Sequence, residues 1–83
     1  MSRREIQQFI HHPGRFTFKD GQANQGMVIV RYNIQEGKIE YYFIPSENML
    51  AYQSAKSNQE LNAHKVLGTR LNIEDIHSAE MMN

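Results

Sequence analysis

The sequence contains no cysteine, which excludes disulfide staples and thiolate metal sites, so the chain has to be held by its core alone. A charge surplus is missing too: nine Lys and Arg balance nine Asp and Glu, whereas a general nucleic-acid binder usually carries a basic excess. Long hydrophobic runs are absent. The longest uninterrupted aliphatic stretch, Met27 to Val30, falls far below the ~20 residues needed to cross a bilayer. The amino terminus also has no apolar signal-peptide core. These absences lead us to expect a soluble, cytoplasmic protein with no membrane partner.

Catalytic signatures are equally scarce. There is no Gly-x-Ser-x-Gly elbow, no phosphate-cradling glycine loop and no carboxylate pair in an apolar frame, so neither an enzyme nor a catalytic residue is expected. No cofactor is implied. The histidines, His11, His12, His64 and His77, do not fall at ligand spacing. Neighbouring histidines at a helix end point in different directions, and a histidine in a last turn has a plainer role opposite the negative end of the helix dipole. No metal site is expected from them.

What is present describes an ordinary globular chain. Its 83 residues are 40% hydrophobic and 22% charged, unlike a disordered segment, which combines low hydrophobicity with a large net charge. A single domain over 1–83 follows, and one so small leaves much of its surface in water, so a partner subunit would help it. Charge is unevenly spread: residues 1–38 hold six Lys/Arg against three Asp/Glu, and residues 39–83 hold three against six. The split suits a basic face, head-to-tail association of subunits, or chance scatter over a solvated surface.

Ser2-Arg3-Arg4-Glu5 forms a capping box, and Ile6, Phe9 and Ile10 follow at helical spacing, so a helix is predicted over about residues 3–11. His11-His12-Pro13-Gly14 ends it. Phe16 and Phe18 then alternate with Thr17 and Lys19, the period of a strand with one buried face. Asp20-Gly21 marks a turn. A second strand, Gly26 to Tyr32, is apolar on both faces over Met27 to Val30, and a third, Lys38 to Pro45, is reached through a turn that Gly37 closes. Ser46 to Lys56 reads as a helix, residues 57–64 as a short helix or a loop, and Lys65 to Met82 as strands again: Val66-Leu67, then Leu71 and Ile73, a tight turn at Glu74-Asp75, and Ile76 to Met81. One core is predicted from Phe16, Phe18, Val28, Val30, Ile39, Tyr41, Phe43, Leu71, Ile73 and Ile76, capped by Ile6, Phe9 and Ile10.

The fold class is therefore mainly β with added helices: a small, bent antiparallel barrel with an amino-terminal helix and a helical insertion before its last two strands. That order resembles the Sm-like (Hfq-type) barrels and, more broadly, the SH3-like ones. The most specific local match is Phe16-Thr17-Phe18-Lys19-Asp20-Gly21 followed by Gly26, where the family ends its first strand in a similar turn and resumes with a glycine. A glycine suits that place because the second strand bends sharply there and a side chain would crowd its neighbour. The resemblance implies RNA binding through a loop aspartate and asparagine, but the stretch Tyr32 to Gly37 offers only a displaced Asn33. Where the family has a basic element near its last turn, this chain has Leu67-Gly68 in one register or Glu74-Asp75 in the other.

Candidate binding residues are Arg15, Arg31, Asn33, Lys38 and Tyr42, a mix of cations and aromatic rings such as single-strand nucleic-acid platforms use. The competing reading puts Tyr41 in the core and Tyr42 at a subunit interface or under the insertion. The expected function is a non-enzymatic binding or assembly module, with an RNA-binding protein of the Hfq type as the alternative and a small metal protein or enzyme subunit as a minor third. A basic rim around Asn33 to Lys38 would favour RNA, and an apolar or acidic rim a protein partner. The last strand carries few lysine or proline guards, so a homo-oligomer, most simply a dimer, is expected.

Overall fold

In the computed structural model, which describes residues 1–82, α1 (Arg3–Ile6) leads through a 3₁₀ turn (Gln7–Phe9) into a meander of β1 (Gly14–Phe18), β2 (Ala23–Asn33) and β3 (Lys38–Pro45). A 3₁₀ turn (Ser46–Asn48), α2 (Met49–Ser57) and α3 (Ala63–Leu67) form the insertion. β4 (Thr69–Leu71), a 3₁₀ turn (Ile73–Asp75) and β5 (Ile76–Met81) complete the chain. The five strands make one antiparallel sheet in the order β4-β3-β2-β1-β5.

The two edge strands are consecutive in sequence, and this dictates the shape of the sheet. Laid flat, four strand spacings would separate the edges by ~19 Å, yet Leu71 is joined to Ile76 through a tight 3₁₀ turn that rises only ~2 Å per residue. The sheet has to curl until its two edges meet at that corner. It stays open all the same, because among the described residues β4 pairs only with β3 and β5 only with β1. The expectation of a bent antiparallel sheet holds, while closure into a barrel is not seen: β4 has three residues, and the chain that would lengthen it turns away where the Asn72 side chain accepts from the Glu74 amide at 3.1 Å.

β2 serves two partners in succession. Its first residues pair with β1 up to Gly14↔Gly26, and from Gly26↔Pro45 to Asn33↔Lys38 it pairs with β3. Gly26 is the pivot, and a Cβ there would run into the Ile44 carbonyl and the Phe43 ring. The turns are made as the sequence suggests, with φ +91° at Gly21 and +65° at Gly37.

Because β2 is apolar on both sides, there are two hydrophobic clusters rather than the one predicted. On one face Met27, Ile29, Tyr42 and Ile44 pack under Tyr52, Ala55 and Ala63 of the insertion. On the other, Phe16, Val28, Phe43 and Ile76 are capped by Ile6 and Phe9. Edge-to-face rings link the second cluster: Phe9–Phe16 at 5.9 Å, Phe16–Phe43 at 5.7 Å and Phe18–Phe43 at 5.9 Å. Phe18, Tyr41, Leu71 and Ile73 are partly buried beside it. Val30 is only half-buried and Ile39 is exposed, so the predicted core extends too far along the hairpin.

Two local expectations need correction. The amino-terminal helix is shorter than residues 3–11, although its capping box forms at 3.1 and 3.2 Å. After Ile6 the turns tighten, and Ile10 already bridges Val28 while the His11 amide donates to the Val28 carbonyl at 2.9 Å. Pairing with the sheet captures the segment before the helix can extend. Val66-Leu67, expected as strand, belongs to α3 instead. After α2 the amides of Gln59 and Glu60 donate to the carbonyls of Lys56 and Ala55, a Schellman closure with Gln59 at φ +59°. The chain then turns back so that Ala63 and His64 are buried.

Candidate binding surface

The β2–β3 hairpin runs beyond both clusters, and its outer end carries most of the residues singled out in the sequence. The cross-strand pairs there are Arg31↔Glu40, Tyr32↔Ile39 and Asn33↔Lys38. Side chains alternate between faces, so Arg31, Asn33, Lys38, Glu40 and Tyr42 share the face covered by the insertion, and Tyr32, Ile39 and Tyr41 share the other.

The insertion-side face is organised around a buried carboxylate. Glu40 accepts from Asn33 Nδ2 at 3.3 Å and from the Tyr42 hydroxyl at 3.1 Å, and lies 3.5 Å from the Arg70 guanidinium. The Asn33 bond, helped by Tyr42, Arg70 and Lys65, holds the Glu40 carboxyl below the ordinary carboxylate range against the opposing effect of burial. Burial, together with the bond to Glu40, pushes the Tyr42 phenol above its usual value. His64 on α3 stands edge-on to Tyr42, with ring centroids 4.7 Å apart. Burial, with Arg31 and Lys65 nearby, holds this imidazole below the usual histidine value. Asn33 works in two directions, since its Oδ1 also accepts from the Glu36 amide at 3.2 Å and so fixes the hairpin turn.

Of the candidate residues, Arg31, Asn33, Lys38 and Tyr42 therefore gather at one end of the hairpin. Arg15 does not join them. It faces Gln25 across β1 and β2, six residues from Arg31 or roughly 20 Å along the strand, in a groove shared with Asn24 and Glu47. Tyr42 is 6% exposed, so its ring packs under the insertion and presents no open face for a base to stack on. Glu40, His64 and Arg70 complete the arrangement and were missed in the sequence. For Glu40 a signal existed: extending the Tyr42–Ile44 face of β3 back by two residues lands on a carboxylate in an otherwise apolar strand.

The opposite face and the turn are different in character. Tyr32 is 64% exposed, Ile34 84% and Ile39 45%, three exposed apolar side chains beside a turn that is otherwise polar, with Gln35, Glu36 and Lys38 also exposed. Among the described residues no group of three or more His, Asp or Glu side chains is placed to hold a metal ion, and no helix is long and apolar enough to cross a membrane. The hairpin end thus offers a bare apolar strip on one side and, on the other, Arg31, Lys38, Lys65 and Arg70 about a carboxylate already engaged by its neighbours. No family model matches this chain, and neither a curated protein nor a solved structure matches it.

Proposed function

We propose that this protein is a non-enzymatic binding and assembly module of the cytoplasm, built on an Sm-like or SH3-like variant of the small curled sheet and docking a protein partner through the outer end of the β2–β3 hairpin. The observation that carries the reading is the exposure of Tyr32, Ile34 and Ile39 together. Exposed apolar side chains of this kind gain by desolvation against another protein and give little to a phosphate backbone. A photo-crosslinking residue in place of Ile34 tests it in cells. The expected product is a discrete protein adduct that Ile39→Asp removes, and adducts with RNA alone would overturn the reading.

Self-association belongs to the same proposal. Among the described residues no strand lies beside the outer edge of β5, and Met81 and Met82 are 46% and 41% exposed at its end. Antiparallel pairing of two such edges about a two-fold axis would satisfy their backbone groups and cover the methionines, giving a dimer. Light scattering at micromolar concentration is expected to show twice the 9.7 kDa of one chain; a 9.7 kDa species alone would remove the dimer.

The RNA-binding alternative rests on a separate observation, the four cations Arg31, Lys38, Lys65 and Arg70 on the insertion side of the hairpin. Binding to uridine-rich or adenine-rich RNA that is sub-micromolar, steeply salt-sensitive and weakened by Arg31→Ala would establish it.

A further inference from the structure

β3 is paired with β2 along its whole length, from Lys38 to Pro45, but on its other side β4 covers only Tyr41, Tyr42 and Phe43. The chain that would have continued β4 past Leu71 turns off at Asn72 into the 3₁₀ turn. Lys38, Ile39 and Glu40 are left with an open outer edge, and among the described residues no other backbone or side-chain hydrogen bond engages their main chain. Successive residues of a strand aim their N–H and C=O at alternate neighbours. The stretch therefore exposes either the paired groups of Ile39 or those of both Lys38 and Glu40.

This open edge forms one wall of a groove of about 690 Å³ that runs between Ile39–Tyr41, the segment Arg70–Asp75 and residues Met1, Ser2 and Arg3. Its two sides differ in chemistry. On the insertion side the groove is lined by Arg70 and Glu40, with Lys38 beyond it on the same face of β3 and Lys65 close by, while Glu40 is buried and already engaged by Asn33, Tyr42 and Arg70. On the other side lie Ile39, Leu71 and Ile73, with Glu74 and Asp75 on the turn beneath.

We propose that this groove takes an extended peptide segment that adds to the sheet beside Lys38–Glu40, with acidic residues alternating with apolar ones. The inference rests on the binding-module reading and names the kind of partner its hairpin end accepts. An added strand makes main-chain hydrogen bonds to the free edge and sends successive side chains to opposite faces. Its acidic residues meet Lys38 and Arg70, and its apolar residues cover Ile39 and Leu71. Register follows from the two faces, because a slip of one residue would turn the acids toward Ile39 and Leu71 and the apolar groups toward Lys38 and Arg70. The longer free edge of β5 is the one assigned to self-association.

Fluorescence anisotropy at near-physiological salt, on the full chain, tests this with a labelled ten-residue peptide of alternating Glu and Val. Two controls accompany it: the same length of alternating Lys and Val, and the Glu-Val peptide methylated at alternate backbone nitrogens. The expected result is saturable binding of the Glu-Val peptide that falls at least tenfold for Lys38→Glu and for Ile39→Lys, is lost on backbone methylation, and is accompanied by amide shifts centred on Lys38–Glu40 in NMR spectra. Absence of binding, equal binding of the Lys-Val peptide, shifts centred on Ile76–Met81, or displacement by single-stranded RNA as effective as by unlabelled peptide would each overturn it. Both substitutions are at exposed positions, and circular dichroism of each variant confirms that it is folded. Light scattering on the same preparations and the Ile34 crosslinking in cells separate the failures: a dimer or protein adduct that persists without peptide binding leaves the module reading standing and removes only the added strand.

Discussion

The inner and outer ends of the β2–β3 ladder are made from the same two strands but live in different environments. At the inner end, Met27, Val28, Ile29, Phe43 and Ile44 are buried, with helices above one face and the aromatic cluster below the other. At the outer end one face is tied into hydrogen bonds around Glu40 while the other leaves Tyr32 and Ile39 exposed. Continuous pairing through Asn33↔Lys38 therefore does not require burial. Apolar packing secures the first half of the hairpin, whereas hydrogen bonds of Asn33 and Glu40 tie down one face of the second.

The sharpest way to break this contrast is at Phe43, whose ring meets both Phe16 and Phe18. Phe43→Ala should cost ~3–5 kcal/mol, most of the stability of a domain this small, measured by urea unfolding. A loss under ~1 kcal/mol would mean that the inner end is not the centre of the fold.

The contrast was only half legible in the sequence. Alternation in Phe16-Thr17-Phe18, the apolar run Met27–Val30 and the glycines at 21, 26 and 37 announced the meander and its pivot, because strand period and turn chemistry are local properties. Ile39 looked like core for the same reason, since alternation tells which face a residue takes but not how far the covering elements reach. Val66-Leu67 misled because two apolar residues fit a strand or one turn of helix, and the choice is made by Ala63 and His64 packing beneath the insertion. The candidate site was legible where it lay on one hairpin, as with Arg31, Asn33 and Lys38. His64 and Arg70 joined it through tertiary pairing that no spacing reveals.

Acid should loosen the insertion-side face next. The imidazoles of His64 and His11 are held below the usual histidine value, chiefly by burial, so the unfolded chain takes up protons that the folded one resists. Stability is then complete above about pH 6.5, the ordinary histidine range, and declines as pH falls below it. Glu40, shifted the other way relative to its charge, contributes stability above the ordinary carboxylate range and adds a second loss only in stronger acid. Urea midpoints at pH 7.5 and pH 5.5 are expected to differ, with the lower value at pH 5.5, and His64→Gln should shrink that difference. An unchanged difference would remove His64 from the explanation.

The smallest effect on stability is expected at the outer end, and it bears most directly on the division between fold and function. Tyr32→Ser, Ile34→Ser and Ile39→Thr replace three large apolar groups that the fold leaves in water, and exposed sites away from special contacts usually change stability by no more than ~0.5 kcal/mol each. Urea unfolding of the triple variant beside the parent, at equal chain concentration, is the measurement. A loss of no more than about 1.5 kcal/mol in total is the expected result, whereas a loss matching that of Phe43→Ala would show that these residues serve the core and not a partner.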